Sequence, residues 1–239
     1  MTGIDRAVAM LKRQLTRFEL PVLLLLAAGS AAIWAFIEIA EKVSDGGSRE
    51  FDKRVLLALR SSADTANPLG PRWLEEMARD FTGLGGVGIL SLITAASVVY
   101  LLLMRKRHAA LFVAAAVGGG ILLSMLFKAG FDRPRPDLVA HLSQIYTASF
   151  PSGHSMMSAV TYLTLGALLA RLHKDWAIKV FLLFTAIVLT LLVGVSRVYL
   201  GVHWPTDVLA GWAAGAAWAA ACWLATLWFQ QRGKVEPAV

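Results

Sequence analysis

Residues 176–195, WAIKVFLLFTAIVLTLLVGV, form an apolar run with a single charged residue in its first turn. A helix of about 20 apolar residues crosses the roughly 30 Å hydrocarbon layer of a bilayer. Because backbone groups inside lipid must be hydrogen-bonded within the segment, this run predicts a transmembrane helix. Ser196 and Arg197 follow the run directly, and His203 and Asp207 stand at the start of the next apolar run.

Five further apolar runs flank this one, and together they predict six transmembrane helices. The chain of 239 residues is 57% hydrophobic and 16% charged, with a mean hydropathy of +0.61. A soluble domain carries about 25% charged residues, so the composition indicates an all-α, polytopic membrane protein in a single domain, 1–239. Small residues in the sixth run, such as Gly211 and Gly215, predict close helix packing. The predicted spans are 21–40, 83–104, 109–127, 154–170, 176–195 and 207–229.

Basic residues in the short connections predict the orientation of the chain. Lysine and arginine are enriched in short cytoplasmic loops. Arg105, Lys106 and Arg107 fill the turn after the second span, and another basic group follows the fourth. Six spans place both termini on one side, which is therefore expected to be cytoplasmic. The formal net charge is +7, and because the basic residues cluster at span ends, they indicate contact with lipid headgroups rather than with nucleic acid.

The segment 41–81, between the first two spans, is expected to lie outside the membrane core. Apolar residues recur at helical spacing from Phe51 to Leu59, and a second such pattern covers 73–81. These patterns predict two amphipathic helices on the outer membrane surface, where they could shape lipid entry. A solvated connector is the alternative interpretation.

Polar residues at the span ends are predicted to meet on one side of the membrane. In a chain that crosses six times, the ends of odd spans and the starts of even spans share one face, whichever way the protein is inserted. On the predicted orientation this face is periplasmic. The polar residues concerned are Lys128, Arg135, Ser152, Gly153, His154, Arg197, His203 and Asp207.

Three of these residues are cations, which are costly beside hydrocarbon without a partner. Arginine forms paired hydrogen bonds to phosphate oxygens, and lysine adds a mobile point charge. Lys128, Arg135 and Arg197 together therefore favour a phosphate ligand over simple contacts with headgroups. Arg133 is expected instead to form salt bridges with the aspartates nearest to it in sequence.

The start of the fourth span offers a second feature that suits an anion. Ser152 and Gly153 follow Pro151, a residue that is preferred at the first position of a helix. The N–H groups that come next have no acceptor within the helix, and glycine allows an anion to approach them closely. A well-capped span explains the same residues without any ligand.

The two histidines predict phosphoryl chemistry. His203 and Asp207 are four residues apart, the spacing of neighbours on a helical face. A carboxylate beside one imidazole nitrogen fixes the tautomer, which leaves the other nitrogen free to attack. His154 is expected to protonate a leaving alkoxide. The three side chains could also bind zinc, but the nearby cations would repel a divalent ion, so neither a metal nor another cofactor is expected.

These residues resemble the three-part signature of the type 2 phosphatidic acid phosphatase (PAP2) superfamily, K-x6-R-P, P-S-G-H and S-R-x5-H-x3-D. The corresponding parts lie at 128–136, 151–154 and 196–207, and every position is filled at the family spacing. The match covers 128–207, about a third of the chain. The six-span layout is also similar to that of the bacterial membrane members.

The resemblance implies a role for each residue. His203 would be the nucleophile and form a phosphohistidine, Asp207 would orient it, and His154 would act first as general acid and then as the base that activates water. The resemblance also implies metal-independent hydrolysis of a lipid phosphate, such as phosphatidic acid, phosphatidylglycerol phosphate or undecaprenyl diphosphate, in a bacterial inner membrane. The residues implied in phosphate binding are Lys128, Arg135, Ser152, Gly153 and Arg197.

Two alternative activities follow from the same residues. A phosphotransferase of the same superfamily would use an acceptor alcohol in place of water. A lipid or phosphate transporter would use the cations only for binding, but transporters commonly have inverted repeats and broken helices near the bilayer midplane. This sequence has its charges at span ends and no evident repeat, which favours an enzyme.

Overall fold

The structure, a computed structural model, describes residues 3–62, 64–142 and 148–231. Within these ranges the one β-type pairing is an isolated bridge between Arg60 and Pro68, and the prediction of an all-α fold is confirmed. The helices are α1 (Gly3–Ser44), α2 (Arg49–Ala58), α3 (Arg72–Gly83), α4 (Val87–Leu103), α5 (Arg107–Gly130), α6 (Gly153–Leu172), α7 (Trp176–Tyr199) and α8 (Pro205–Gln231).

Five of these helices are long and apolar enough to cross a membrane, and the bent pair α3 and α4 adds a sixth if it counts as one span. The first predicted span falls within α1, whose candidate membrane segment is Val22–Ser44. The third to sixth predicted spans correspond to α5, α6, α7 and α8.

The second predicted span, 83–104, differs from the structure at its start. Helix α4 begins only at Val87, has 17 residues, and is bent by 47° relative to α3 across the residues between them. Two glycines in this break, Gly85 and Gly86, weaken helix continuity. A Cβ atom on Gly85 would lie 2.4 Å from Val193 Cγ1, so glycine allows the bend to pack directly against α7.

Helix α6 lies at the centre of the assembly. In its most apolar segment, the buried share is 61%, compared with 22% in α7 and 39% in α8. Helix α6 packs along both of these helices. A Cβ atom on Gly211 would lie 2.7 Å from Ser152 O, and one on Gly215 would lie 2.5 Å from Met156 O. The predicted close packing at the small residues of the sixth span is therefore confirmed.

The segment 41–81 contains two helices, as predicted, and both pack on the membrane-spanning helices. Helix α2 buries Asp52 and Leu56, and Leu56 belongs to one buried apolar cluster with Val198 and Val208. Helix α3 packs on α7 and buries Ala78 there. The position of α2 and α3 at the membrane surface stays a prediction.

Candidate active site

A cavity of about 410 Å³ lies where the C-terminal ends of α5 and α7 meet the start of α6 and the loop before α8. Its side toward α4 and α5 is mostly apolar, and it is lined by Val87, Leu90, Val117, Ile121 and Met125 together with the hydroxyl-bearing Ser91 and Ser124. Of the eight residues predicted for the site, six line this cavity, and no described carboxylate is among its lining side chains. The six are Lys128, Arg135, Gly153, His154, Arg197 and His203.

The three predicted cations reach the cavity from separate parts of the chain. Lys128 Nζ and Arg135 Nη1 each donate to a main-chain carbonyl group, at 2.8 Å and 2.6 Å. Arg197 is 2% exposed, and its Nη1 donates to Thr82 Oγ1 at 3.3 Å. Among the described residues, Arg197 Nε has no hydrogen-bond acceptor. A buried donor without an acceptor is costly.

The start of α6 is organised differently from the prediction at two positions. Ser152 is the N-cap, and its hydroxyl accepts a hydrogen bond from the N–H three residues later at 3.4 Å. Pro151, predicted at the first helical position, precedes the cap, so that prediction was wrong. The Ser152 side chain is fully buried and is not part of the cavity wall. A Cβ atom on Gly153 would lie 3.3 Å from Lys128 Cε, so glycine leaves room for this lysine.

His203 lies in the loop between α7 and α8, two residues before Pro205 begins α8. Gly201, at φ +75°, turns the chain in a conformation that favours glycine. The imidazole is 1% exposed, with Nε2 3.1 Å from Arg135 Nη1 and Nδ1 3.4 Å from Asp207 Oδ2. Burial lowers the pKa of His203 to about 4, although Asp207 opposes this shift. The imidazole is therefore neutral at pH 7, the state in which a nitrogen lone pair can attack.

Asp207 lies behind the His203 imidazole rather than in the cavity wall. Its Oδ2 accepts hydrogen bonds from the Trp204 N–H at 3.0 Å and from the Ser149 hydroxyl. Its Oδ1 accepts a hydrogen bond from Arg133 Nη1 at 2.5 Å. These donors fix the carboxylate in one orientation beside Nδ1.

The predicted partners of Arg133 were wrong. The sequence neighbours Asp132 and Asp137 are exposed, whereas the carboxylates that Arg133 contacts are those of Asp207 and of Asp52, at 2.6 Å from Nη2. Asp52 belongs to α2, which was predicted as an amphipathic helix on the outer membrane surface, without a role for this carboxylate. Because both contacted aspartates are fully buried, each requires a cation nearby, and Arg133 meets that need for both.

Three residues of this neighbourhood were not predicted from the sequence. Asp52 lies four residues before the buried Leu56 and so shares its face of α2, which was a usable signal. Ser149 lies just before the Pro-Ser-Gly-His motif but outside it. Thr82 contacts both Arg197 Nη1 and, at 2.8 Å, the Ser196 hydroxyl; nothing in the sequence around Thr82 indicated this role.

Comparison with known proteins agrees with the motif assignment. The sequence model of the PAP2 superfamily matches residues 107–231, just over half of the 239 residues. The chain therefore belongs to the PAP2 superfamily, as its motifs predicted. Because its helices are long and apolar and its fold is similar to that of a transmembrane protein, the chain is a multi-pass membrane protein.

Two curated relatives share part of this sequence. Phosphatidylglycerophosphatase B of Bacillus subtilis is 43% identical over 96 residues, which cover 39% of this chain and 46% of the relative. Undecaprenyl-diphosphatase of Sulfolobus acidocaldarius is 41% identical over 68 residues, which cover 28% of this chain and 29% of the relative. The matching region spans less than half the length of either relative.

Two crystal structures share the fold over most of the chain. A transmembrane PAP2-type phosphatidylglycerolphosphate phosphatase from Bacillus subtilis superimposes with a TM-score of 0.70 at 27% identity, covering 85% of this chain and 96% of that one. LpxE of Aquifex aeolicus superimposes with a TM-score of 0.52 at 24% identity, covering 73% of this chain and 93% of that one. The second likeness concerns the fold alone.

Proposed function

We propose that this protein hydrolyses the phosphomonoester or diphosphate of a membrane lipid through a phosphohistidine formed on His203. The observation that carries the proposal is the cavity in which two imidazoles and three cations converge without a described carboxylate. Such a set of groups neutralises a phosphate dianion and the charge of its transition state. The names of the curated relatives support a substrate of the phosphatidylglycerol phosphate or undecaprenyl diphosphate class, and the motif resemblance adds phosphatidic acid as a third candidate.

In the first step, Nε2 of His203 attacks phosphorus and the bond from phosphorus to the lipid oxygen breaks. His154, protonated in the complex with the phosphate dianion, gives its proton to that oxygen, so the lipid leaves as an alcohol or as a monophosphate. Asp207 accepts the Nδ1 hydrogen bond and stabilises the positive charge that develops on the ring. The groups that bind the phosphate oxygens are Lys128, Arg135, Arg197 and the main-chain N–H groups of Gly153 and His154 at the start of α6. Ser152 caps this helix by accepting a hydrogen bond from the Ser155 N–H.

In the second step, a water molecule attacks the phosphohistidine. His154, now neutral, takes a proton from this water, and the bond between phosphorus and Nε2 breaks. Inorganic phosphate leaves, His203 returns to the neutral imidazole, and His154 is protonated again for the next cycle. The step uses no group outside the cavity and requires no metal.

The surroundings of the cavity support a membrane-lipid substrate. Its side toward α4 and α5 is mostly apolar, which suits a hydrocarbon chain better than a water-soluble ester. The cavity lies at the opposite end of α5 from the basic turn at 105–107. We therefore place the termini in the cytoplasm of a bacterial cell and the cavity on the periplasmic side of the inner membrane. Residues 1–239 act as one domain in this proposal, because α1 and α2 pack on α8.

The proposal is tested with purified full-length protein in detergent, offered a panel of lipid phosphates and diphosphates with EDTA present. We expect phosphate release, and we expect His203→Ala to lower the rate by several orders of magnitude because it removes the nucleophile. The exposed His108 provides the matched control, and His108→Ala should keep full activity.

Three results would count against parts of the proposal. Loss of activity in EDTA would contradict metal independence, and equal turnover of water-soluble monoesters would contradict a lipid substrate. Retained activity in His203→Ala would contradict the phosphohistidine. Product analysis with an added lipid alcohol separates hydrolysis from transfer, since a phosphotransferase would form a new lipid phosphate ester.

A further inference from the structure

A buried charged network lies behind the cavity and includes a residue from outside the family motifs. Asp52 is fully buried on α2, and its Oδ2 accepts hydrogen bonds from Arg133 Nη2 at 2.6 Å and from Thr206 Oγ1 at 2.8 Å. Its Oδ1 accepts from the Thr206 N–H at 2.9 Å. The carboxylate therefore binds the first turn of α8, where a negative charge is favourable, as well as Arg133.

Arg133 connects this carboxylate to the candidate catalytic residues. Its Nη1 donates to Asp207 Oδ1 at 2.5 Å and to Thr206 Oγ1 at 2.8 Å, while its Nη2 binds Asp52. The guanidinium also lies over the Trp204 ring, 5.6 Å from the centroid. The planar fork of arginine suits a group that must hold two carboxylates in fixed positions at once.

Stability alone does not account for this network. Replacing a buried ion network by apolar residues is often neutral or stabilising, because the desolvation of the charges is costly. Neither Asp52 nor Arg133 lines the cavity that contains the two imidazoles, so contact with a phosphate bound there does not account for it either. What the network does fix is the carboxylate of Asp207, whose Oδ1 is held by Arg133 and whose Oδ2 faces His203.

We propose that Asp52 and Arg133 are positioning residues for the phosphatase reaction: Arg133 holds Asp207 in the orientation that serves His203, and Asp52 holds Arg133. This inference rests on the proposed function and extends the site to α2. It makes α2 a part of the active site rather than only a surface connector.

The two residues should have opposite electrostatic effects on His203. Without Arg133, its guanidinium no longer offsets the charge of Asp207 at the imidazole, and this change favours protonation. Without Asp52, the full positive charge of Arg133 acts nearby and disfavours protonation. The other charged and titratable groups that face His203 are unchanged in both cases; they are Lys128 from α5, Arg135 from the loop after α5, His154 from α6, Arg197 from α7 and Asp207 from α8.

The first measurement is turnover of a lipid phosphate by the full-length protein in detergent. We expect Arg133→Gln and Asp52→Asn to lower kcat by about 10- to 100-fold, by analogy with the loss found when a residue that orients a metal ligand is removed. KM should stay within about threefold, because neither residue touches the cavity. Arg133→Lys should recover only part of the loss, since a lysine cannot bind both carboxylates with a planar fork.

The second measurement is the reaction of His203 with diethyl pyrocarbonate in the ligand-free protein, followed by peptide mapping. The reagent modifies the neutral imidazole, so the pH at half-maximal rate reports protonation. We expect this pH to rise in Arg133→Gln and to fall in Asp52→Asn. If the two residues had only a structural role, both variants would lose activity, but the pH at half-maximal rate would not rise in one and fall in the other.

Matched controls and a double variant keep the outcome decisive. Glu50 and Arg54 are exposed on α2, and Glu50→Gln and Arg54→Gln should leave kcat and the profile unchanged. If a single variant fails to fold, Asp52→Asn combined with Arg133→Gln removes both charges of the pair. We expect this double variant to fold and to lose no more kcat than Arg133→Gln alone, because the two residues act in series.

Unchanged kcat in both single variants, or a rise in KM alone, would overturn the inference. So would a double variant with full activity. These results differ from failure of the proposed function, which would appear as an inactive wild type or an active His203→Ala.

Discussion

The two nitrogens of His203 have different surroundings, and this difference fits a nucleophile. Nδ1 faces the Asp207 carboxylate, whereas Nε2 faces Arg135 at the cavity. The buried ring lies among cations as well as beside a carboxylate, and burial has the largest effect on its charge state. The proposed nucleophile is therefore neutral before substrate binds, and it gains a positive charge only as phosphorus is attacked.

A pH profile checks this point. The pKa of His203 is lowered to about 4, so its neutral form persists to a pH about 2.5 lower than that of an ordinary histidine, whose pKa is about 6.5. In the ligand-free wild type, we expect the rate of diethyl pyrocarbonate modification at His203 to be half-maximal near pH 4. N-acetylhistidine provides the reference profile. A midpoint at His203 equal to that of the reference would contradict the effect of burial.

The motif residues were predictable from sequence because they lie at the ends of apolar runs. Counting the crossings is enough to place Lys128, Arg197 and His203 on one face, and six of eight predicted residues do line one cavity. Asp52 was not predictable in this way, because it meets Thr206 from 154 residues away in the chain. Ser152 was predicted to bind phosphate because the motif contains it; in the structure its side chain caps α6 and lies outside the cavity wall.

Helices pack closely at glycine, and the α6–α8 contact depends on this. A side chain at Gly211 would overlap the start of α6, which carries the proposed phosphate-binding N–H groups. On α5, a Cβ atom added to Gly118 would have no described neighbour within 4 Å beyond its own stretch of helix. The two positions therefore form a natural pair for comparison.

We expect Gly211→Ala to destabilise the protein by about 1–3 kcal/mol, the usual cost of overpacking. Gly118→Ala should be neutral or stabilising by about 0.5–1 kcal/mol, because alanine favours a helix over glycine. Thermal unfolding in detergent, followed by tryptophan fluorescence, measures both. Equal melting temperatures for the two variants would show that the α6–α8 contact tolerates a side chain at this position.

Five predicted spans matched single helices, because a long apolar run in lipid has few alternatives to a helix. The second span did not, since hydropathy indicates the length of an apolar run but not whether the helix bends within it. The bend between α3 and α4 depends on Gly85, which packs against Val193 and His154. These contacts are between distant residues, and no local pattern encodes them.

At the scale of the whole molecule, the predicted orientation can be tested by labelling single cysteines. In a Cys222→Ser background, Thr65→Cys lies in the exposed segment between α2 and α3, and Lys174→Cys lies in the exposed turn between α6 and α7. A membrane-impermeant maleimide should label Thr65→Cys in bacterial cells whose outer membrane has been made permeable. Lys174→Cys should be labelled only after the inner membrane is broken. The reverse pattern would place the cavity in the cytoplasm.

The carboxylate of Asp52 has a consequence for any attempt to shorten this protein or to exchange parts of it. The region that matches the family begins at residue 107, so a fragment trimmed to that region would keep all the signature residues and yet lack the anion that holds Arg133. Such a minimal fragment should be a poor enzyme even if it inserts correctly. Chimaeras between relatives should work best when the extramembrane helix and the Arg133 loop come from the same parent.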